Sequence, residues 1–316
     1  MKMIVMLSPR SFLAVFAALA LATLAGCGDA GGTASGTTSD GKLDVVASFY
    51  PLQYVAEQVG GERVHVSTLT APGVEPHDLE LTPKQVGRLT RAALIVYEKG
   101  LQPAVDEAVE QNVAKAGFDV SGVAKLEATG AHFQEEGERA NKDDIDPHFW
   151  LDPTRLADVG DAVAARLAEA DPTNAAGYRQ RAAALRSQLT ALDGEYRSGL
   201  ANCRLKTFVT THEAFAYLAQ RYGLTMVGIA GLTPDAEPSP ARIKQVEDVV
   251  RANRVTTIFY EELVSPKVAE SIARDLHVRA AVLSPIEGLA DKNSTETYLT
   301  LMRENLAELQ KANDCS

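Results

Sequence analysis

The pattern of apolar and polar positions alternates between two periods beyond the first 42 residues. Short runs rich in β-branched residues, such as LDVVAS at 43–48 and ALIVY at 93–97, predict buried strands. Segments with apolar residues at helical spacing lie between them, and a capping box formed by Thr82 and Gln85 marks the start of one helix. Strands that alternate with helices favour parallel sheets with right-handed crossovers. The chain is therefore predicted to be an α/β protein.

This alternation is interrupted once, in the middle of the chain. Residues 154–170 and 174–201 both show helical spacing, and the second helix would be about 40 Å long. The β/α alternation restarts after Cys203. We therefore predict two pseudo-symmetric α/β lobes with parallel sheets, at 43–173 and 203–316, joined by one long helix within 174–202.

The N-terminal segment has the pattern of an export signal. Basic residues precede an apolar run at 11–24, which is too short for a comfortable membrane span, and LAGC follows at 24–27. This resembles the bacterial lipoprotein signal, with residues 1–26 removed and Cys27 lipidated; an ordinary secretory signal is the alternative. Residues 27–42 contain almost no apolar side chains and predict a flexible tether. The protein is expected on the extracytoplasmic face of the cell membrane, held by its lipid.

Composition narrows the class of ligand. The chain has 316 residues, 46% hydrophobic and 23% charged, which is typical of a soluble globular protein. Its formal net charge is −11 and no basic run occurs, so nucleic acid is a poor partner. An acidic surface suits cations better than phosphates, although acidity alone usually reflects solubility.

Two further cysteines lie in the second lobe. In an oxidising compartment Cys203 and Cys315 are more often bridged than free, so we predict a disulfide that closes this lobe. The alternative is a pair of unpaired thiols.

Three of the six histidines lie where a ligand site is expected. In open parallel sheets ligands bind beyond the carboxyl ends of the strands. His212 directly follows a predicted strand, His77 lies in a loop downstream of another, and His148 lies in a loop that leads into helix 154–170. The other histidines have ordinary interpretations: His65 as a solvent-facing strand residue, His132 as a surface-loop residue and His277 as a helix-end residue.

Three imidazoles need a fourth donor to complete a tetrahedral zinc site. Glu287 follows the last predicted strand and lies at the same edge as His212, which favours it as the carboxylate; Glu75 is the competitor. Three nitrogens and one carboxylate suit zinc, whereas manganese prefers more oxygen ligands and calcium or magnesium an all-oxygen shell. We therefore expect bound Zn²⁺.

Five stretches carry a family resemblance, in order along the chain. They are VVASFYPLQYVAEQVGGERV, GVEPHDLELTP, DPHFWLDP, THEAFAYLAQRYGL and SPKVAESIARDLHV. Together they resemble the metal-binding lipoproteins of bacterial ABC importers, the zinc/manganese class of solute-binding proteins. The similarity runs from about residue 43 to the C-terminus. It implies two α/β lobes, a rigid linking helix, a metal in the cleft between the lobes, and an ABC permease as partner; we also expect a monomer.

The resemblance also assigns positions. His77, His148 and His212 match the three histidine ligand positions of the family, and a histidine at the third position is the zinc-type pattern. Many members have an aspartate where this chain has Ser284, but members with SPLE or NPLE are closer, and there the residue that matches Glu287 ligates. The long histidine-rich loop of some zinc members is missing here.

The neighbours of these residues suggest supporting roles. Phe149 and Trp150 would wall the cleft from water, which strengthens an ion–ligand interaction. Asp152 and Glu213 are candidates for orienting imidazoles, with helix capping or first-turn charge as the alternative.

The sequence thus predicts a zinc-binding protein that delivers Zn²⁺ to a permease and is not an enzyme. One alternative keeps the fold and binds manganese or ferrous iron. A zinc hydrolase is another, since three protein ligands and a water form a catalytic pattern; four protein donors and the absence of HExxH argue against it. A matrix-binding adhesin is the third.

Overall fold

Two parallel four-stranded sheets organise the protein. The computed structural model describes residues 36–128 and 144–316. The first sheet has the order β2-β1-β3-β4 and comprises β1 (Leu43–Ala47), β2 (Val64–Thr68), β3 (Leu94–Tyr97) and β4 (Gly117–Asp119). The second repeats this order as β6-β5-β7-β8 and comprises β5 (Thr207–Thr210), β6 (Thr225–Gly228), β7 (Thr257–Tyr260) and β8 (Arg279–Val282). The predicted pair of pseudo-symmetric parallel α/β lobes is confirmed.

Helices connect and cover these strands. Those of the first lobe are α1 (Tyr50–Gly60), α2 (Pro83–Leu89), α3 (Pro103–Asn112), α4 (Ser121–Ala124) and α5 (Pro153–Ala170). They are followed by α6 (Ala175–Leu200), α7 (Ala216–Tyr222), α8 (Pro240–Asn253), α9 (Lys267–Asp275) and α10 (Tyr298–Asn313). The Thr82–Gln85 capping box is present at the start of α2. The short helix α4 was not predicted.

The central strands of each sheet, β1, β3, β5 and β7, are buried on both faces, which explains their high apolar content. In β1, Val45 and Ala47 face a core cluster that also contains Phe208 of β5 and Phe259 of β7. Val46 points to the opposite side, into a smaller cluster under α2 and α3. A third cluster lies between the second sheet and helices α8 and α9. The largest core is therefore shared by the two lobes.

The long helix α6 runs through this shared core. Its predicted apolar stripe is buried and comprises Tyr178, Leu185, Leu189, Leu192 and Tyr196. The Arg181 guanidinium donates to the carbonyl of Val59 in α1 at 2.7 Å, and the Tyr196 hydroxyl donates to the carbonyl of Met302 in α10 at 2.5 Å. The helix thereby binds to elements of both lobes, as expected of a rigid connection.

A disulfide joins Cys203, ahead of β5, to Cys315, after α10, and the predicted bridge is thus present. Leu205 N donates to the Asn313 carbonyl beside it. The bridge fixes the C-terminus to the start of the second sheet.

Some predictions concern residues outside the described ranges. They include the signal peptide, the Cys27 lipid site, the tether up to residue 35, and His132. Among the described residues no helix combines the length and apolarity that crossing a membrane requires. The domain boundaries at 173/174 and 202/203 stay predictions.

Candidate metal centre

The three predicted histidines and Glu287 converge between the two sheets. His212 lies two residues beyond the end of β5, and Glu287 lies in the segment after β8. His77 belongs to the loop between β2 and α2, and His148 precedes a short 3-10 turn that leads into α5. The two lobes therefore contribute two residues each, from the strand edge where open parallel sheets bind ligands.

The distances among the donor atoms match those around a four-coordinate zinc ion. Oε1 of Glu287 lies 3.6 Å from Nε2 of His77, 3.2 Å from Nε2 of His148 and 3.3 Å from Nε2 of His212. The Nε2 atoms of His148 and His212 are 3.3 Å apart. Donors about 2.05 Å from a tetrahedral ion are about 3.3 Å from one another. One donor atom of each residue lies within 4.8 Å of the others, so the group could hold a metal ion.

Burial makes this group electrostatically incomplete without a cation. The side chains of His148, His212 and Glu287 are at most 1% exposed, and that of His77 is 7% exposed. Neither carboxylate oxygen of Glu287 accepts a well-formed hydrogen bond from the described residues. Burial would raise the pKa of Glu287, but the three adjacent imidazoles outweigh it and hold that pKa well below the ordinary value. A buried ionised carboxylate is costly unless a positive charge compensates it.

Two further carboxylates orient the imidazoles. Asp146 Oδ1 lies 2.8 Å from Nδ1 of His148 and also accepts the backbone N–H of that residue at 2.9 Å. Glu261 Oε1 lies 2.6 Å from Nδ1 of His212. A carboxylate at Nδ1 holds the proton there and leaves the Nε2 lone pair directed into the site. Nε2 is the atom that both rings present to Glu287.

These carboxylates also control protonation of the rings. Burial lowers the pKa of His148, but Asp146 and Glu287 more than offset this and raise it above the ordinary value. Burial also lowers the pKa of His212, but Glu261 and Glu287 outweigh it and hold that pKa well above the ordinary value. In the metal-free protein a proton is thus the natural competitor for a cation.

Asp152 and Glu213, the residues predicted for this orienting role, have other partners among the described residues. Asp152 instead caps α5 by accepting the N–H of Thr154 at 2.9 Å, which was the stated alternative. Glu213 lies 3.7 Å from the Arg242 guanidinium. Asp146 and Glu261 were missed. Glu261 is the first residue after β7, so the rule that selected His212 could also have selected it.

Glu75, the competitor for the fourth position, is not part of the donor cluster. Its Oε1 accepts the backbone N–H of His77 at 3.0 Å. Burial and the nearby Glu287 raise the pKa of Glu75 to about 8, so it tends to be neutral at neutral pH. Within the described residues the one such donor group contains Glu287 and not Glu75.

The aromatic side chain of Trp150 lies against one histidine of the site. Phe149 and Trp150 are fully buried, and their role in walling the cleft from water stays a prediction. The Trp150 ring centroid lies 5.3 Å from that of His148, and its indole N–H donates to the Pro285 carbonyl at 2.7 Å. His65, by contrast, is solvent-exposed and 3.2 Å from Asp44.

This combination of fold and site defines a class. Two parallel α/β lobes with a buried three-histidine, one-carboxylate group between them characterise the metal-binding solute receptors of ABC importers. The chain belongs to the family described as zinc-uptake complex component A, periplasmic, whose profile matches residues 45–312. The family is thus a transport component that acts outside the cytoplasm.

Curated relatives carry names consistent with this family. The chain is 34% identical over 286 residues to the zinc-binding lipoprotein AdcA of Streptococcus pneumoniae, a match that covers 87% of this chain and 57% of AdcA. It therefore spans a little over half the length of that relative. It is 32% identical over 299 residues to the high-affinity zinc uptake system protein ZnuA of Bacillus subtilis, which covers 91% of this chain and 92% of that protein.

A solved structure shares the fold. The crystal structure of the Zn(II)-bound ZnuA-like domain of Streptococcus pneumoniae AdcA superimposes with a TM-score of 0.72 at 32% identity. The match covers 87% of this chain and 100% of that domain.

Proposed function

We propose that the protein captures Zn²⁺ outside the cytoplasm and delivers it to an ABC permease. The observation that carries this proposal is the convergence of His77, His148, His212 and Glu287, whose donor atoms all lie within 4.8 Å of one another. Zn²⁺ is the transported substrate, and the four side chains are its ligands. Neutral imidazoles and one carboxylate would bind it without further donors.

The ligand chemistry favours zinc over the other metals of the class. Three nitrogen donors and a single carboxylate suit a borderline-soft ion, whereas manganese and ferrous iron favour more oxygen. Competitive loading with equal zinc, manganese and iron, read by elemental mass spectrometry, separates these possibilities. Preferential retention of manganese or iron would contradict the zinc assignment.

A hydrolytic role is disfavoured by the same geometry. Catalytic zinc sites keep one coordination position for water, while here four protein side chains place donor atoms within 4.8 Å of one another. We therefore propose that the protein binds and releases its metal without chemical change.

Membrane attachment is proposed at Cys27. The LAGC sequence at 24–27 and the lipoprotein name of the Streptococcus pneumoniae relative support it. A tether of about fifteen residues would give the binding lobes an r.m.s. reach of about 20 Å from the lipid. Such a reach suits a monomer that docks on a permease in the same membrane.

Binding is tested by isothermal titration of the metal-free protein with zinc in the presence of a competing chelator. The wild type should bind one equivalent, and His77→Ala/His148→Ala/His212→Ala should lose high-affinity binding. His65→Ala is the matched control, because His65 is exposed and lies outside the site. Equal affinity in the triple variant would refute the assigned ligands.

Delivery to a permease needs a separate test in cells. A deletion strain should grow poorly under zinc chelation, and the wild-type gene but not the triple variant should restore growth. Normal growth of the deletion strain would argue against the transport role.

A further inference from the structure

The turn that carries Glu287 has an unusual backbone. Ile286, immediately before it, has φ = 59°, in the left-handed region. Among the described residues it is the only β-branched side chain with a positive φ, and it is fully buried. The left-handed region is unfavourable for a β-branched residue, so this conformation persists only where the surroundings impose it.

Asn305 of α10 holds the start of this turn. Its Oδ1 accepts the N–H of Ser284 at 2.8 Å, and its Nδ2 donates to the carbonyl of the same residue at 2.6 Å. The Ser284 hydroxyl in turn accepts the N–H of Ile286 at 3.2 Å. Asn305 is 3% exposed, so water competes little for these bonds. One amide side chain thereby fixes both backbone groups of the residue that initiates the turn.

The first lobe holds the turn on both sides of Glu287. The Trp150 indole donates to the carbonyl of Pro285, two residues before Glu287, at 2.7 Å. The N–H of Gly73 donates to the carbonyl of Leu289, two residues after it, at 2.8 Å. These donors belong to the segments that carry His148 and His77. Hydrogen bonds on both sides of Glu287 therefore fix the position of its carboxylate relative to the imidazoles.

We propose that Asn305 and Trp150 are positioning residues that lock the Ser284–Glu287 turn in its left-handed form and so fix the Glu287 carboxylate against the three imidazoles. The inference rests on the proposed zinc function. Without these bonds Ile286 can return to negative φ, and that rotation carries the next side chain, Glu287, away from the site. A fixed carboxylate preserves four-coordinate geometry, which favours zinc over ions that need more ligands.

The test compares Asn305→Ala with Asn313→Ala. Asn313 lies on the same helix, is also buried, and donates to the Leu205 carbonyl at 3.1 Å, away from the turn. Both variants lose a buried amide that bonds to the backbone, but only Asn305→Ala releases Glu287. Loss of a residue that orients a ligand typically weakens metal binding by about 10- to 100-fold. We expect that loss in Asn305→Ala and affinity close to wild type in Asn313→Ala, by chelator competition with zinc.

The cobalt-substituted protein gives a readout that stability alone would not change. Replacement of Glu287 by solvent changes the donor set of Co²⁺, so a displaced Glu287 should alter the visible bands of Asn305→Ala but not of Asn313→Ala. Trp150→Phe keeps an aromatic ring and removes the indole donor, so it should change the zinc affinity and the cobalt spectrum in the same way. It replaces Asn305→Ala in the test if that variant does not fold.

The outcomes separate the inference from the function. One outcome is that the wild type binds zinc while Asn305→Ala and Trp150→Phe have the same zinc affinity and cobalt spectra as Asn313→Ala. That result would overturn the positioning role and leave the proposed function intact. A wild type that does not bind zinc would overturn both.

Discussion

The contact between Glu261 and His212 offers a sharp test of how the site is organised. The carboxylate oxygen lies 2.6 Å from Nδ1 of His212, and the two side chains are 2% and 0% exposed. Glu261→Gln keeps the shape and one acceptor but removes the charge that favours the Nδ1–H form. The Thr211 hydroxyl, which also donates to Glu261, keeps an acceptor in the variant.

The expected loss follows from the strength of such contacts. Residues that orient a metal-bound histidine typically contribute about 10- to 100-fold in affinity, or about 1.4 to 2.7 kcal/mol. The loss should be larger at pH 8 than at pH 6. Glu261 raises the pKa of His212, so its removal lowers that pKa and relieves proton competition in acid.

The assay is chelator-competition titration of zinc at both pH values, with Glu270→Gln as the control. Glu270 is exposed in the first turn of α9, so its charge should not affect the site. Wild-type affinity of Glu261→Gln at both pH values would show that the 2.6 Å contact does not support the ligand. An equal loss at both would refute the assigned effect on His212 protonation.

Three further predictions concern stability. Zinc at about 100 times its dissociation constant should stabilise the fold by about 2.7 kcal/mol and raise Tm by about 5 °C or more in calorimetry; the same rise in His148→Ala would contradict the site. Replacing Cys203 and Cys315 by serine should lower the free energy of unfolding in urea by about 4–5 kcal/mol, since the bridge spans 112 residues; unchanged stability would refute this. Arg221→Met should cost about 2 kcal/mol because it leaves Asp193, 12% exposed, without its 2.6 Å partner. Arg197→Met, which removes the more exposed partner of Asp193, should cost less than 1 kcal/mol, and equal losses would contradict the role of burial.

Much of the fold was accessible from sequence because its signals are local. The predicted apolar runs at 43–48 and 93–97 contain β1 and β3, and the buried side of α6 follows the helical spacing of its apolar residues. The strand-edge rule likewise singled out His77, His148, His212 and Glu287, whose donor atoms lie within 4.8 Å of one another in the fold.

What sequence could not supply depends on contacts between distant segments. Glu261 meets His212 across 49 residues, and the indole of Trp150 meets Pro285 across 135. The left-handed conformation of Ile286 contradicts its intrinsic preference and arises from Asn305, 19 positions further on. Local propensity cannot predict a conformation that tertiary hydrogen bonds impose.

The position of Trp150 beside the site links its fluorescence to metal binding. It is the sole tryptophan of the chain, and its ring centroid lies 4.8 Å from that of Phe49, in an edge-on arrangement, and 5.3 Å from that of His148, which is proposed to coordinate the ion. Any change in charge at that imidazole alters the field across the indole. Emission can therefore report capture and loss of the ion in real time, without a label and from a single known position.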